Sequence, residues 1–146
     1  MHRIRSLICL TMIFIAYPAF AQTSSAPGLD DTSILRPKGF KPSYPANKAA
    51  ANRGKALFND TKLSTNGRAC AQCHADADSF GPRFKTPYPH AAMNSKARFG
   101  VDRMNLDEVI QVCMQGPMRN MPLEWGSPEQ IDLTTYLLKV QSSGQM

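Results

Sequence analysis

Five consecutive residues, Cys70-Ala71-Gln72-Cys73-His74, decide what kind of fold this chain of 146 residues can adopt. The pattern C-x-x-C-H is the attachment signature of haem c. On one helical turn Cys70 and Cys73 lie on the same side, where their sulfurs can reach the two vinyl groups on one edge of a porphyrin. His74 can then bind the iron. The motif therefore predicts one covalently attached haem c, with His74 as an iron ligand.

Two other uses of a C-x-x-C pair have to be compared with haem attachment. A thioredoxin-type redox pair needs a βαβ context, and no strand pattern precedes Cys70. A structural zinc ion needs four ligands in tetrahedral geometry, and the adjacent Cys73 and His74 do not readily bind one such ion together. The motif therefore favours haem over both alternatives.

The first 21 residues have the three-part layout of a secretory signal peptide. Arg3 and Arg5 form the charged start, an apolar run from Leu7 to Ala16 follows, and small residues precede the expected cleavage site after Ala21. The apolar run is shorter than the roughly 20 residues that a membrane-spanning helix needs. We therefore expect a periplasmic protein whose mature chain has no membrane span.

The net charge is mildly positive, with 17 basic and 11 acidic residues in the whole chain. Removal of the signal peptide, which contains two arginines, leaves an excess of about four positive charges. The basic residues form no run and no helical stripe with interleaved aromatic residues, which argues against nucleic-acid binding. A mild positive excess is compatible with an acidic redox partner protein.

The mature chain divides into an arm and one domain. Residues 22–45 contain repeated prolines and glycines with few periodic apolar positions, which predicts a Pro-rich extended arm. Residues 46–146 have the length of a single domain, and a covalently held haem adds a large apolar body to its core. We expect these residues to form a cytochrome c domain.

Three helices are indicated in this domain. The first is predicted from Lys48 to Asn59, with apolar residues at helical spacing and Gly54 inside it. Asn105 and Ser127 have the pattern of N-cap residues, each followed three residues later by Glu or Gln, and begin the other two helices. Residues 75–104 read as irregular and no strand pattern is found, so the fold class is all-α. The layout resembles the cytochrome c fold, in which the first and last helices cross closely, and this crossing explains Gly54.

Four side chains can be considered as the iron ligand opposite His74, and they are Cys113, Met118, Met121 and His90. Methionine is common in electron-carrying cytochromes and raises the reduction potential, whereas a thiolate lowers it. Cys113 has no partner for a disulfide once Cys70 and Cys73 hold the haem, and its helical spacing directs it inward. It can equally be a small buried apolar residue. The residue pattern alone leaves the sixth ligand open.

Further segments show a family resemblance, and they are Gly81-Pro82-Arg83-Phe84, Tyr88-Pro89, Asn105-Leu106-Asp107-Glu108, Cys113, Met118, Pro122-Leu123 and Ser127 to Tyr136. Together they resemble the haem domains of the SoxA and thiosulfate dehydrogenase cytochromes. The resemblance covers roughly residues 50 to 144. Its most specific part is the spacing of the cysteine, the methionine and the Pro-Leu pair between Cys113 and Leu123.

The resemblance implies a particular pair of axial ligands. In those relatives a cysteine at the position of Cys113 binds the haem iron opposite the histidine, and the methionine at the position of Met118 does not. His74 and Cys113 are therefore the expected ligands, with Met118 and Met121 as alternatives.

This chain also departs from those relatives in two respects. They carry two haems, or pair one haem domain with another cytochrome subunit, whereas this chain has a single C-x-x-C-H motif. They also have an arginine four residues before the ligand cysteine, where it can hold a sulfur oxyanion, and this chain has Val109 there. The arginines that could replace it are Arg83, Arg98, Arg103 and Arg119.

These observations lead to two functional hypotheses of different classes. The first is a periplasmic mono-haem cytochrome that transfers electrons to or from a redox partner protein or a second cytochrome, linked by the resemblance to thiosulfate oxidation. The alternative is the haem subunit of a thiosulfate-oxidising enzyme, in which a His/Cys-ligated haem is catalytic and Cys113 takes part in the chemistry. A gas sensor would need an open or labile distal site, and no residue pattern selects it. Electron transfer requires only the haem that the motif predicts. We therefore expect an electron-transfer protein rather than a stand-alone enzyme.

Overall fold

The computed structural model describes residues 32–146, and the predicted signal peptide and the first part of the arm lie outside these residues. Four α-helices form the domain, namely α1 (Lys48–Phe58), α2 (Ser95–Phe99), α3 (Leu106–Gln115) and α4 (Pro128–Ser143). Short 3-10 helices lie at Thr32–Ile34, Thr61–Leu63, Cys70–Gln72, Asp78–Phe80 and Pro82–Lys85. Between residues 32 and 146 there is no strand, and one isolated antiparallel bridge joins His90 and Met104. The predicted all-α class is confirmed.

α1 and α4 cross at Gly54, where the two helix backbones are in contact. A Cβ atom added to Gly54 would lie 2.0 Å from the backbone oxygen of Asp132 and 2.7 Å from the Cβ of Tyr136. Beside the crossing, the guanidinium of Arg53 donates to the Asp132 carboxylate at 2.6 and 2.8 Å. The rings of Phe58 and Tyr136 pack with their centroids 5.4 Å apart. The expected close crossing at this glycine is confirmed.

α3 and α4 begin at the N-caps that the sequence indicates. The backbone N–H of Asn105 donates to the Glu108 carboxylate at 2.6 Å, and the Ser127 hydroxyl accepts from the Gln130 N–H at 3.2 Å. Pro128 occupies the first position of α4, where its missing N–H would have had no helical partner. The apolar faces of α3 and α4 then pack into one core cluster together with residues of α1.

The segment between the C-x-x-C-H motif and α3 contains more regular structure than expected. The sequence predicts an irregular course over residues 75–104, but α2 lies within it. α2 has only five residues, so no periodic apolar pattern can mark it. Its limits are set by backbone conformation instead, because Asn94 and Gly100 adopt the left-handed region with φ of 56° and 71°. Asn and Gly enter this region at lower cost than other residues.

The described part of the Pro-rich arm packs against α3 and α4. Ile34 is fully buried in a small apolar cluster beside α2 and α3. The guanidinium of Arg36 donates to the buried Asp107 carboxylate at 2.9 Å. The Tyr44 hydroxyl donates to the same carboxylate and accepts from the Gln130 side chain at 3.2 Å. Burial, together with the hydrogen bond to Asp107, raises the pKa of Tyr44 and keeps this hydroxyl protonated.

Asp107→Ala should lower the free energy of unfolding by about 2 kcal/mol, because it leaves the Arg36 guanidinium and the Tyr44 hydroxyl without their acceptor. The loss is moderated by water, since the Arg36 side chain is 28% exposed. Urea unfolding followed by circular dichroism measures it. Asp78→Ala is the matched control, because the Asp78 and Lys85 side chains of that ion pair are both exposed. Equal losses in the two variants would contradict a stabilising role for the arm contacts.

Candidate haem site

A cavity of about 380 Å³ lies between the C-x-x-C-H turn, the loop that follows it, α3 and α4. Its walls are mostly apolar and include the aromatic rings of Phe58, Phe80 and Phe84 as well as Leu133 and Leu137 of α4. Such walls suit a flat apolar group, which gains free energy when its faces are removed from water. The cavity is therefore the candidate site for the haem that the motif predicts.

Six of the predicted attachment or ligand residues line this cavity, and they are Cys70, Cys73, His74, His90, Cys113 and Met118. Met121 does not line it and is 63% exposed at the surface. The structure thus brings the attachment motif together with Cys113 and Met118 and leaves Met121 outside.

The C-x-x-C-H motif forms a tight turn at the cavity wall. The backbone carbonyl of Cys70 accepts from the N–H groups of Cys73 at 3.1 Å and of His74 at 3.0 Å. The side-chain oxygen of Gln72 accepts from the Ala69 N–H at 3.3 Å and closes the start of the turn. Both cysteines are free thiols, with Cys70 half-buried and Cys73 exposed. The turn therefore presents two thiols and an imidazole to one cavity.

His74 is held in a stack of three rings. Its imidazole is nearly parallel to the Phe80 ring at 4.1 Å between centroids, and Phe80 stacks on Phe84 at 4.2 Å. Burial lowers the pKa of His74, with the Ser79 backbone acting in the opposite direction, and so favours the neutral imidazole that binds metals. Its buried Nδ1 atom lies near the Ser79 backbone but forms no hydrogen bond of good geometry in the described residues. A neutral imidazole fits the role of an iron ligand.

Cys113 brings a third thiol to the cavity from α3. The Cys113 side chain is half-buried, because part of its surface borders the cavity. Burial raises the pKa of the Cys113 thiol to about 12, and the nearby Cys70 and Cys73 add to the effect while Arg98 opposes it. The three thiols therefore lie close enough to influence one another electrostatically.

The loop that carries Met118 is fixed by a buried glutamine that the sequence analysis did not single out. The side-chain amide of Gln111 donates to the Leu123 carbonyl and accepts from the Leu123 N–H, both at 2.8 Å. Asn120 donates from its side chain to the Leu63 carbonyl at 2.9 Å. One signal could have revealed Gln111, since it is a polar residue between apolar neighbours on a helix that faces the core.

Few charged side chains border the cavity. Arg68 and Arg83 line it, and neither forms an ion pair with a carboxylate in the part of the chain that the structure describes. Arg98 does not line it but influences the pKa of Cys113. The two other arginines considered from the sequence also lie outside the lining, and they are Arg103 and Arg119.

The residues present fit a haem c. The walls are apolar, the turn carries two free thiols, and the imidazole beside them lacks a hydrogen-bond partner at a buried nitrogen. Within residues 32–146 no three His, Cys, Asp or Glu side chains cluster as ligands for a separate metal ion.

A helical domain with closely crossing first and last helices and a C-x-x-C-H turn at an apolar cavity defines a c-type cytochrome. The family model described as SoxA/TsdA, cytochrome c domain, matches residues 53–146, and the chain belongs to this family. The resemblance drawn from the sequence is confirmed. Comparisons with curated proteins and with solved structures give no match.

Membership in this family implies haem c as the cofactor and places the chain in the context of sulfur oxidation. It also implies a redox partner, because a cytochrome exchanges electrons with other molecules. Among the helices between residues 32 and 146, none has the length and apolar character required to cross a membrane.

Proposed function

We propose that this chain is an exported mono-haem c-type cytochrome that transfers electrons during the oxidation of sulfur compounds. One observation carries the proposal: the C-x-x-C-H turn and the Cys113 thiol border the same apolar cavity in a member of the SoxA/TsdA family. Residues 1–21 would direct export to the periplasm. Residues 22–45 would form the arm, and residues 46–146 the cytochrome domain.

In this proposal Cys70 and Cys73 hold one haem c through thioether bonds, and His74 and Cys113 bind its iron. When bound, the haem supplies a one-electron Fe(III)/Fe(II) centre whose potential depends on its ligands and on its burial. The apolar walls exclude water from the iron, and α3 positions Cys113 at the cavity wall. Cys73 is exposed, so the attachment turn lies at the surface, where a redox partner can approach.

Cys113 is the preferred sixth ligand for two reasons. The family resemblance implies a cysteine ligand at this position, and the Cys113 thiol borders the cavity. Met118 also lines the cavity, but it is 3% exposed and packs within the apolar core cluster. The other two candidates are less suited, because Met121 lies at the surface and the imidazole of His90 stacks on the Tyr88 ring at 4.1 Å between centroids.

The proposed redox partner is a separate electron-transfer protein or a second cytochrome. A single haem accepts or releases one electron, so a two-electron oxidation of a sulfur compound needs a second centre or a second turnover. The partner would approach the exposed side of the attachment turn. The moderate positive charge of the chain favours an acidic partner surface.

The alternative function is the haem subunit of a thiosulfate-oxidising enzyme, with Cys113 as a participant in the reaction. Arg68 and Arg83 favour it, because they line the cavity without carboxylate partners in the described chain and can attract an anion. Val109 counts against it, since this apolar residue lines the cavity where the relatives have an arginine. Rapid mixing of the ferric protein with thiosulfate separates the two functions. Saturable reduction without a partner supports the enzyme, and no reduction supports the electron carrier.

Cys113→Ala is the variant that tests the proposed ligation. In the oxidised wild type we expect a low-spin EPR signal typical of thiolate ligation, and in the variant we expect that signal to disappear and the reduction potential to rise. Met118→Leu is the matched control and should keep the thiolate signal. Loss of the signal in Met118→Leu, or a methionine charge-transfer band that survives in Cys113→Ala, would contradict Cys113 as the ligand.

A further inference from the structure

One part of the cavity lining, called the first end, is formed by the attachment turn and the residues that flank it. Arg68 lines this end two residues before Cys70. The side chain of Asn66 donates to the Pro117 carbonyl at 2.9 Å, and the Thr65 N–H donates to the next carbonyl along the loop at 3.3 Å. The first end therefore consists of the thiol residues, Arg68 and the start of the loop after α3.

Another part of the lining, called the second end, is formed by the segment over residues 83–93, which follows the motif in the chain. Arg83, Tyr88, His90 and Met93 line it. The guanidinium of Arg83 lies along this loop, since its Nη1 donates to a backbone carbonyl of the loop, that of Ala91, at 3.4 Å. Within residues 32–146 no hydrogen bond joins this loop to the residues of the first end.

The chemistry of haem c gives these two ends different partners. The vinyl groups that form thioethers lie on one edge of the porphyrin, and both propionates lie on the opposite edge. Attachment at Cys70 and Cys73 therefore directs the carboxylates away from the first end. A carboxylate beside apolar walls needs a cation or hydrogen-bond donors to remain ionised.

We propose that Arg83 binds a haem propionate at the second end of the cavity, with His90 next to it. The assignment rests on the proposed covalent attachment. Arg83 has no carboxylate partner in the described chain, and the one hydrogen bond that its guanidinium donates there is the long contact to the Ala91 carbonyl. A guanidinium can bind a carboxylate through two parallel hydrogen bonds, which suits it to this role. Arg68, by contrast, belongs to the thioether end.

A cation at the propionate has two measurable consequences. It favours the ionised carboxylate, so it lowers the pKa of the propionate. It also disfavours the additional positive charge of Fe(III), so it raises the reduction potential. Removal of Arg83 should therefore lower the potential at neutral pH and move the protonation step that is linked to reduction toward higher pH.

The test is a redox titration across pH on the haem-loaded full chain and its variants. Arg83→Gln should lower the reduction potential at neutral pH and raise the pH of the linked protonation step by about one unit or more. In Arg83→Lys, both the potential and the pH of that step should return most of the way to the wild-type values. Arg68→Gln is the matched control, because it removes an arginine of the same cavity at the other end. It should change the potential without moving the linked step.

His90 lines the cavity in the same segment as Arg83, so each measurement is repeated with His90→Asn. Tyr88 does not interfere near neutral pH, because burial raises its pKa to about 12. Lys85 does not interfere either, because its ion pair with Asp78 raises its pKa. A linked step that vanishes with His90→Asn would belong to that histidine and would overturn the assignment. The same holds if Arg83→Gln and Arg68→Gln leave the step at the same pH. Absence of covalent haem in the wild type, shown by a pyridine haemochrome spectrum, would overturn the proposed function as well.

Discussion

Gly54→Ala is expected to lower the free energy of unfolding by about 3 kcal/mol or more. A Cβ at this position would lie 2.0 Å from the backbone oxygen of Asp132, and a helix backbone cannot move aside as the end of a flexible side chain can. α1 and α4 would have to separate, which also weakens the packing of Phe58 against Tyr136. Urea unfolding of the haem-loaded protein, followed by circular dichroism, measures the loss.

The direction of this effect distinguishes a close helix crossing from ordinary helix propensity. In an exposed helix, alanine is more favourable than glycine by about 1 kcal/mol. Asn52→Ala is the matched control, because Asn52 is exposed on the same helix and should lose no stability. A Gly54→Ala protein as stable as the wild type would contradict the contact between the two backbones.

The double variant Cys70→Ala/Cys73→Ala should lose covalent haem completely, because both proposed thioether bonds are then absent. The measurement is haem staining after denaturing electrophoresis, together with the pyridine haemochrome spectrum. Each single variant should retain haem through one thioether, with a haemochrome band shifted toward that of a porphyrin with one free vinyl group. Cofactor that is held only by iron ligation and packing dissociates when the chain unfolds.

The control for this experiment is Cys113→Ala, which removes a thiol from the same cavity but leaves the attachment motif intact. It should stain for haem as strongly as the wild type does, even though its iron ligation changes. Covalent haem in the double variant, or its loss in Cys113→Ala, would contradict attachment through Cys70 and Cys73.

Much of the fold follows from local sequence signals. Asn105 and Ser127 mark helix starts through their own side chains and near neighbours, so a short window of sequence is enough to find them. Gly54 indicates a close backbone approach for the same local reason. α2 was missed because five residues are too few for a periodic pattern. The contacts of Arg36 and Tyr44 with Asp107 link positions more than 60 residues apart, and no local pattern encodes such a distance.

The candidate site was predictable to a similar extent. The C-x-x-C-H spacing points to Cys70, Cys73 and His74, and helical periodicity directs Cys113 inward, so the sequence alone is enough to predict these residues. Gln111 was missed because its amide acts on the backbone of a loop that follows the helix. The position of Arg83 at the cavity could not be predicted either, because the path of residues 75–104 decides which arginines of that segment line it.

The position of α4 at the end of the domain has a consequence for how the protein is made. α4 supplies Leu133 and Leu137 to the cavity wall, and it is synthesised after every other element that lines the cavity. Until this helix docks on α1, the cavity lacks the wall that Leu133 and Leu137 form, and its apolar lining is open to solvent. Docking leaves Cys70 half-buried and Cys73 exposed. The last helix therefore closes the apolar interior, while the reactive cysteines stay accessible from the outer side of the attachment turn.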